Sequence, residues 1–267
     1  MKSKTHFNFQ LSIFNFIVLS CLCVACRQNT VSDQATADTL RQSNPQALDT
    51  RAFVNVTDVV PDAILEIRYH SSYNFIGTRI DGYEQPVALM TRQSADSLRA
   101  VGEELRAKGY QLLIFDAYRP QRAVDHFVRW GKDISDTLMR RCFYPNVDKS
   151  RLFELGYIAT QSSHSRGSTV DLTLFDMATG KEVDMGAPFD WFGRESHPDC
   201  GGRYANGEAI EYVKNDTISA EQFRNRMILR EAMIRHGFKP YECEWWHFTL
   251  KNEPYPDTYF EFPVRAL

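Results

Sequence analysis

The sequence predicts an α+β fold: a single domain with a central antiparallel sheet flanked by helices. Three observations predict it. Thr91–Lys108 and Ser219–His236 carry apolar residues at helical spacing. Short apolar or β-branched runs, Tyr110–Phe115, Leu172–Phe175 and His247–Leu250, read as strands. The 267 residues, 43% hydrophobic and 24% charged, show no internal repeat and no second domain. The net charge of −3 gives no basic surface for nucleic acid.

At the amino end, Lys2 and Lys4 precede an apolar run from Leu11 to Leu19 that continues to Ala25. Residues 1–26 read as a secretory signal peptide. The run is short for a spanning helix, which takes about 20 apolar residues; an uncleaved anchor is the alternative. Val18-Leu19-Ser20-Cys21 and Cys23-Val24-Ala25-Cys26 both resemble a bacterial lipoprotein box. Cys26 stands where apolar sequence gives way to polar, so it is the expected lipidation site, with Cys21 the alternative. Lipid there would turn a soluble protein into an anchored one. The expected location is therefore exported, periplasmic or on the outer surface, held to a bacterial membrane only through the N-terminal lipid or anchor. Residues 27–50, rich in Gln, Ser, Thr, Asp and Ala, read as a flexible polar tether. The globular domain is 51–267.

From Phe53 the elements follow in order. Val54–Val60 and Ile64–Tyr69 predict short strands with a turn at Pro61-Asp62. Thr91 or Ser94 caps the first helix, and Ala95, Leu98, Val101 and Leu105 form its apolar face. Gly109 ends it. The buried strand Tyr110–Phe115 leads into Asp116-Ala117-Tyr118-Arg119-Pro120, and Pro120 suits the first position of a helix over Gln121–Trp130. Arg119 then lies at a strand end, either paired with Asp116 or serving a site. Ser150 caps a turn over Arg151–Leu155, and Thr179-Gly180 marks another. Phe223, Met227 and Ile234 are among the apolar positions of the last helix, which Gly237 closes. The tail, punctuated by Pro254, Pro256 and Pro263, is expected to wrap the surface. Cys21, Cys23 and Cys26 belong to the signal. Three cysteines remain, so the domain holds at most one disulfide, which export permits. Cys142 with Cys200 is the expected pair, because Cys243 sits beside Glu244 where a packed strand begins.

The chemistry concentrates in Ser162–Asp171. His164 precedes a turn and Asp171 lies seven residues on, at the head of a strand. Gly167 between them lets the backbone bend sharply, so an imidazole and a carboxylate can aim at one point. A catalytic zinc usually has three protein ligands and an open position for water. Cys243–Leu250 offers His247 as the third ligand and Glu244 as a general base. An ideal strand would put positions i and i+3 on opposite faces. Glu244 is therefore expected in a bend, with His247 opening the strand. Either histidine alone also reads as a hydrogen-bonded structural residue. Cys243 is a rival ligand, at an awkward spacing from His247.

Taken together, Ser162-x-His164-x-x-Gly167-x-Thr169-x-Asp171 and Glu244-x-x-His247 resemble the zinc D-alanyl-D-alanine dipeptidases of the VanX type, with Thr169 where that pattern has alanine. The family belongs to a wider group with D,D-carboxypeptidases and Hedgehog-like domains, so the resemblance implies a Hedgehog/D,D-peptidase-like fold. It extends over roughly 53–262, through the Tyr69–Tyr83 run, the Arg119 motif and Asp184–Asp190. It implies one Zn²⁺ per chain on His164, Asp171 and His247, Glu244 as base, and Arg119 stabilising the oxyanion. It further implies that Asp190 and Tyr69 meet the substrate's ammonium, and that Ser162 and Tyr83 line the pocket. The implied reaction is hydrolysis of the D-Ala-D-Ala dipeptide by metal-activated water, in cell-wall peptide turnover. The implied partner is thus a small dipeptide. One alternative is a D,D-carboxypeptidase that trims peptidoglycan stem peptides; Asp190 and the Tyr69–Tyr83 run would block its longer substrate on the amino side. The other is a non-catalytic zinc binding module, against which the full set of five catalytic and metal residues argues.

Overall fold

The computed structural model describes residues 50–200, 202–205, 208–212 and 217–267. The expected signal, residues 27–49 of the expected tether, Cys21 and Cys26 lie outside the described residues; Thr50, counted with the tether, opens a 3-10 turn, Thr50–Ala52. The elements run β1 (Phe53–Asn55), β2 (Ile64–Leu65), β3 (Leu89–Thr91), α1 (Arg92–Arg106), β4 (Tyr110–Asp116), α2 (Gln121–Lys132), α3 (Arg140–Phe143), β5 (Thr169–Asp176), β6 (Lys181–Glu182), β7 (Gly202–Ala205), β8 (Glu208–Tyr212), α4 (Ala220–Arg235), β9 (Phe238–Pro240) and β10 (His247–Leu250). The main sheet has the order β2-β4-β5-β10-β9, with β6 also on β5. β1 pairs with β3 and β7 with β8.

The sheet is antiparallel as expected, except that β2 pairs parallel to β4 at one edge. Helix α1 and β3 lie between those two strands in sequence, which supplies the crossover a parallel pair needs. Side chains alternate across β5: Val170, Leu172 and Leu174 face one way, Thr169, Asp171 and Thr173 the other. Through the register, Leu112, Ile114, Phe248, Leu250 and Phe238 join the apolar set. α1 covers this face, approaching closely enough that a Cβ on Gly102 would meet Leu112 Cδ1 at 3.6 Å. α4 packs beside it against α1 and β9. The opposite face is polar where β5, β10 and β9 meet, and the site is built there.

Several expectations change for physical reasons. Val54–Val60 is not one strand: β1 ends at Asn55, and a 3-10 turn covers Val56–Asp58. Val56, Val59 and Val60 are all buried, at the i, i+3, i+4 spacing of a helical turn, which an alternating strand would not bury together. Likewise β2 is two residues long, and a 3-10 turn takes Arg68–His70. Asp148, not Ser150, caps the turn at Lys149–Arg151, accepting from the Ser150 N–H at 2.9 Å. Pro120 sits just outside α2 in an extended conformation.

The tail does more than wrap the surface. Phe260 and Val264 are buried. Phe260 and Phe262 meet Phe53 edge-on, and Phe262 stacks on Tyr118 at 4.3 Å. The expected Cys142–Cys200 disulfide is absent: Cys142 is exposed on α3, while Cys200 is buried with Ile218, Phe223 and Met227, and both are free.

Candidate active site

Ser163–Arg166 forms a 3-10 turn that carries His164. Ser162 caps it, its Oγ accepting the His164 N–H at 3.3 Å. Gly167 ends the turn at φ +78°, and a Cβ there would fall 2.3 Å from Phe53 Cε1, so only glycine fits. Two further bonds seat the turn: Arg119 N–H donates to the His164 carbonyl at 3.4 Å, and Phe260 N–H to the Ser165 carbonyl at 2.8 Å.

His164 is buried, and its Nδ1 lies 2.6 Å from the Ala117 carbonyl. A carbonyl only accepts, so Nδ1 carries the proton and Nε2 is left with a free lone pair. His247 opens β10 directly opposite Asp171 on β5. Its Nδ1 is 3.2 Å from His164 Nε2 and 3.1 Å from Asp171 Oδ1. His164 Nε2 is 3.1 Å from Asp171 Oδ2. Ser163 Oγ meets the other His247 nitrogen at 3.2 Å.

The three donor atoms lie within 4.8 Å of one another, close enough to hold one metal ion together. The electrostatics agree. Burial opposes the charged form of Asp171, but His164 and His247 outweigh it and hold the carboxyl well below its ordinary range. Burial likewise disfavours a charged His247, yet Asp171 and Glu244 keep it protonated up to about 9. Two imidazoles and one carboxylate buried together are a donor set that a divalent ion of the zinc type can use once His247 gives up its proton. Cys243 is not part of it.

Glu244 stands in the irregular stretch before β10, as the spacing required, with Oε2 3.4 Å from His247 Nδ1. Arg119 is nearly buried. Its Nε donates to Asp116 Oδ2 at 2.8 Å and its Nη2 to Asp171 Oδ2 at 3.4 Å. The guanidinium lies over the rings of Tyr69 and Phe127. Asp190 is buried at φ +63°, the single non-glycine residue with positive φ among the described residues. Tyr69 donates to its Oδ1 at 3.0 Å, while Oδ2 is buried without a partner. Burial pushes the Asp190 carboxyl well above its ordinary range, Arg119 working against the shift.

These residues face one cavity of about 370 Å³, whose walls include Tyr69, Arg119, Ser162, Asp190, Glu244 and His247. Tyr83 does not line it, contrary to expectation. Its ring is buried against Tyr69 and its hydroxyl donates to Asp116 Oδ1 at 2.6 Å. Tyr83 therefore braces the carboxylate that braces Arg119. Asp116 and Ser163 are the residues that sequence reasoning undervalued. Asp116 stands three residues before Arg119 at the end of β4, a spacing that was legible; Ser163 carries no signal beyond adjacency to His164.

The profile of the D-ala-D-ala dipeptidase family matches residues 49–265. The D-alanyl-D-alanine dipeptidase of Enterococcus faecium is 39% identical over 213 residues, covering 80% of this chain and 98% of that protein. That of Enterococcus faecalis is 43% identical over 199 residues, covering 74% and 91%. That of Streptomyces coelicolor is 39% identical over 212 residues, covering 79% and 98%. The matched span contains both histidine stretches, and the fold brings them to one point; the chain belongs to the D-Ala-D-Ala dipeptidase family.

Proposed function

We propose that this chain hydrolyses the D-Ala-D-Ala dipeptide, with one Zn²⁺ held by His164, Asp171 and His247. The observation that carries the reading is the convergence of those three donors beside Glu244, in a cavity that also contains a buried, half-partnered Asp190. When bound, the ion lowers the pKa of its water to roughly 7 and polarises the amide oxygen. Glu244 takes the proton as water attacks the carbonyl carbon and passes it to the leaving amine nitrogen. Arg119, held in place by Asp116, stabilises the oxygen on which negative charge develops. Asp190 and Tyr69 receive the ammonium, and Ser162 lines the pocket.

A buried acid with one free oxygen favours a substrate that brings its own positive charge. The arriving ammonium stabilises the carboxylate that burial alone disfavours. An acylated chain brings no such charge and would leave a polar group unpaired, which is costly. This supports a dipeptidase over a carboxypeptidase. The test is to incubate the purified protein with D-Ala-D-Ala and with an acylated tripeptide ending in D-Ala-D-Ala, with and without chelator. Cleavage of the free dipeptide, lost with chelator and restored by Zn²⁺, is expected. Cleavage of the tripeptide alone overturns the reading.

The amino end supports a second part of the proposal: export, with lipid on Cys26 holding the domain to a bacterial membrane and a role in cell-wall peptide turnover. Mass spectrometry of the mature N-terminus is expected to find a lipid-modified Cys26. An unmodified start beyond residue 26 rules this out.

A further inference from the structure

We propose that Lys239 receives the carboxylate end of the dipeptide, a role that rests on the dipeptidase reading above. The argument starts from register. Lys239 on β9 stands opposite Thr249 on β10, and Thr249 lies two residues from His247. Cross-strand partners and i, i+2 neighbours share a face, so Lys239 is on the face of the sheet that carries Asp171 and His247. The Thr169 and Thr249 hydroxyls, 2.9 Å apart, lie on the same face. Lys239 lines the same cavity as the metal donors.

Charge then singles it out. Three basic side chains other than histidine line that cavity: Arg119, Arg166 and Lys239. Arg119 is engaged with Asp116 and Asp171. Arg166 donates twice to Glu253, at 2.8 and 2.7 Å. Lys239 has no carboxylate within ion-pair distance among the described residues, and it is exposed. A free dipeptide is a zwitterion. Its carboxylate must enter a cavity that already holds Asp171, Asp190 and Glu244; the proposed metal and Arg119 are committed to those groups, so the uncommitted cation at the rim is the one left to meet it. The flexible four-carbon stem of a lysine suits a rim position that closes on a ligand.

The strand order places Lys239 at the right end. Tyr69, which holds Asp190, follows β2 at one edge of the sheet; Lys239 is on β9 at the other edge. The metal donors on β5 and β10 lie between those edges. A substrate with its ammonium towards Asp190 and its carboxylate towards Lys239 therefore lies with the metal donors between its two ends, the Lys239 stem reaching in from the edge. The length between the two charges is then a selection rule: a third residue at the carboxyl end would carry its charge past Lys239.

The experiment compares kcat and KM of the zinc-loaded protein, Lys239→Ala and Lys239→Arg, on D-Ala-D-Ala and on its C-terminal amide. Lys239→Ala is expected to raise KM for the free dipeptide roughly tenfold with kcat little changed, the size of one charge-assisted hydrogen bond. Its preference for the free dipeptide over the amide narrows by the same factor, and Lys239→Arg restores it. If wild type cleaves the dipeptide while Lys239→Ala keeps the wild-type preference, the role of Lys239 is overturned alone. If wild type cleaves neither compound, the dipeptidase reading and this proposal fall together.

Discussion

Asp190 and Glu244 are both carboxylates facing one cavity, and their surroundings set them to different work. Asp190 is buried, bonded to Tyr69 through one oxygen and bare on the other. Glu244 is partly exposed beside His247. Replacing Glu244 by Gln removes the proposed base and none of the proposed ligands, so the variant should keep its metal and lose about 10²–10⁴-fold in turnover. Elemental analysis and steady-state kinetics check the two halves separately; full activity in Glu244→Gln would remove it from the mechanism. Replacing Asp190 by Asn should cost about 2–5 kcal/mol in binding the free dipeptide, by analogy with buried charge pairs at interfaces. It should also weaken the discrimination against the N-acetylated dipeptide. An unchanged discrimination ratio would mean that Asp190 does not read the ammonium. His164→Ala deletes a donor whose other nitrogen is already held by Ala117, and should strip the metal. Full metal content in that variant would refute the ligand set.

At the scale of elements, α1 and α4 are tied by Glu104, which accepts from Arg235 at 2.5 Å, Lys108 at 2.7 Å and His236 at 3.0 Å. Hydrogen bonds from Arg235 and then Lys108 lower the Glu104 pKa from 4.5 to about 2. A depressed carboxylate pKa stabilises the fold above the unfolded value and loses that contribution as pH falls through the folded one. The stability gap between wild type and Glu104→Gln should therefore be full at pH 6 and shrink between 4.5 and about 2. Thermal melts of both proteins measure it; the gap should be about 1 kcal/mol, since the cluster is solvent-facing. α1, β4, α4 and β10 were legible within a residue or two, because periodicity, caps and glycine stops are local signals. Gly109 and Gly237 end their helices at φ +89° and +90°, and Ser219 with Gln222 forms the capping box of α4. The three donors that converge, His164, Asp171 and His247, were legible for the same reason, since each half of the cluster is a short motif. Lys239 was not. Its position depends on which residue of β9 lies opposite Thr249, and no local pattern carries a register. Tyr83 was misplaced because the resemblance names a residue without saying which way its ring points.

On the scale of the whole molecule, the carboxyl-terminal segment holds together parts that are far apart in sequence. Phe260 bonds to Ser165, Val264 to Gly82, and Leu267 to the Asn55 side chain. Phe260→Ala should cost about 3–5 kcal/mol, as for other buried aromatics. It should also lower metal occupancy, because without the buried ring the Phe260 backbone N–H is held less firmly against Ser165 and the turn bearing His164. Denaturant unfolding and metal analysis test the pair; a large stability loss with full occupancy would uncouple the tail from the site. The same wiring has a meaning in time. Synthesis adds about 5–20 residues per second from the amino end. The clasp on Ser165 therefore closes only after Phe260 has left the ribosome, well after the turn itself. Until then the histidine turn lacks one of its backbone bonds. Under the export proposed above, such a delay suits a chain that has to pass a translocation pore before its fold closes.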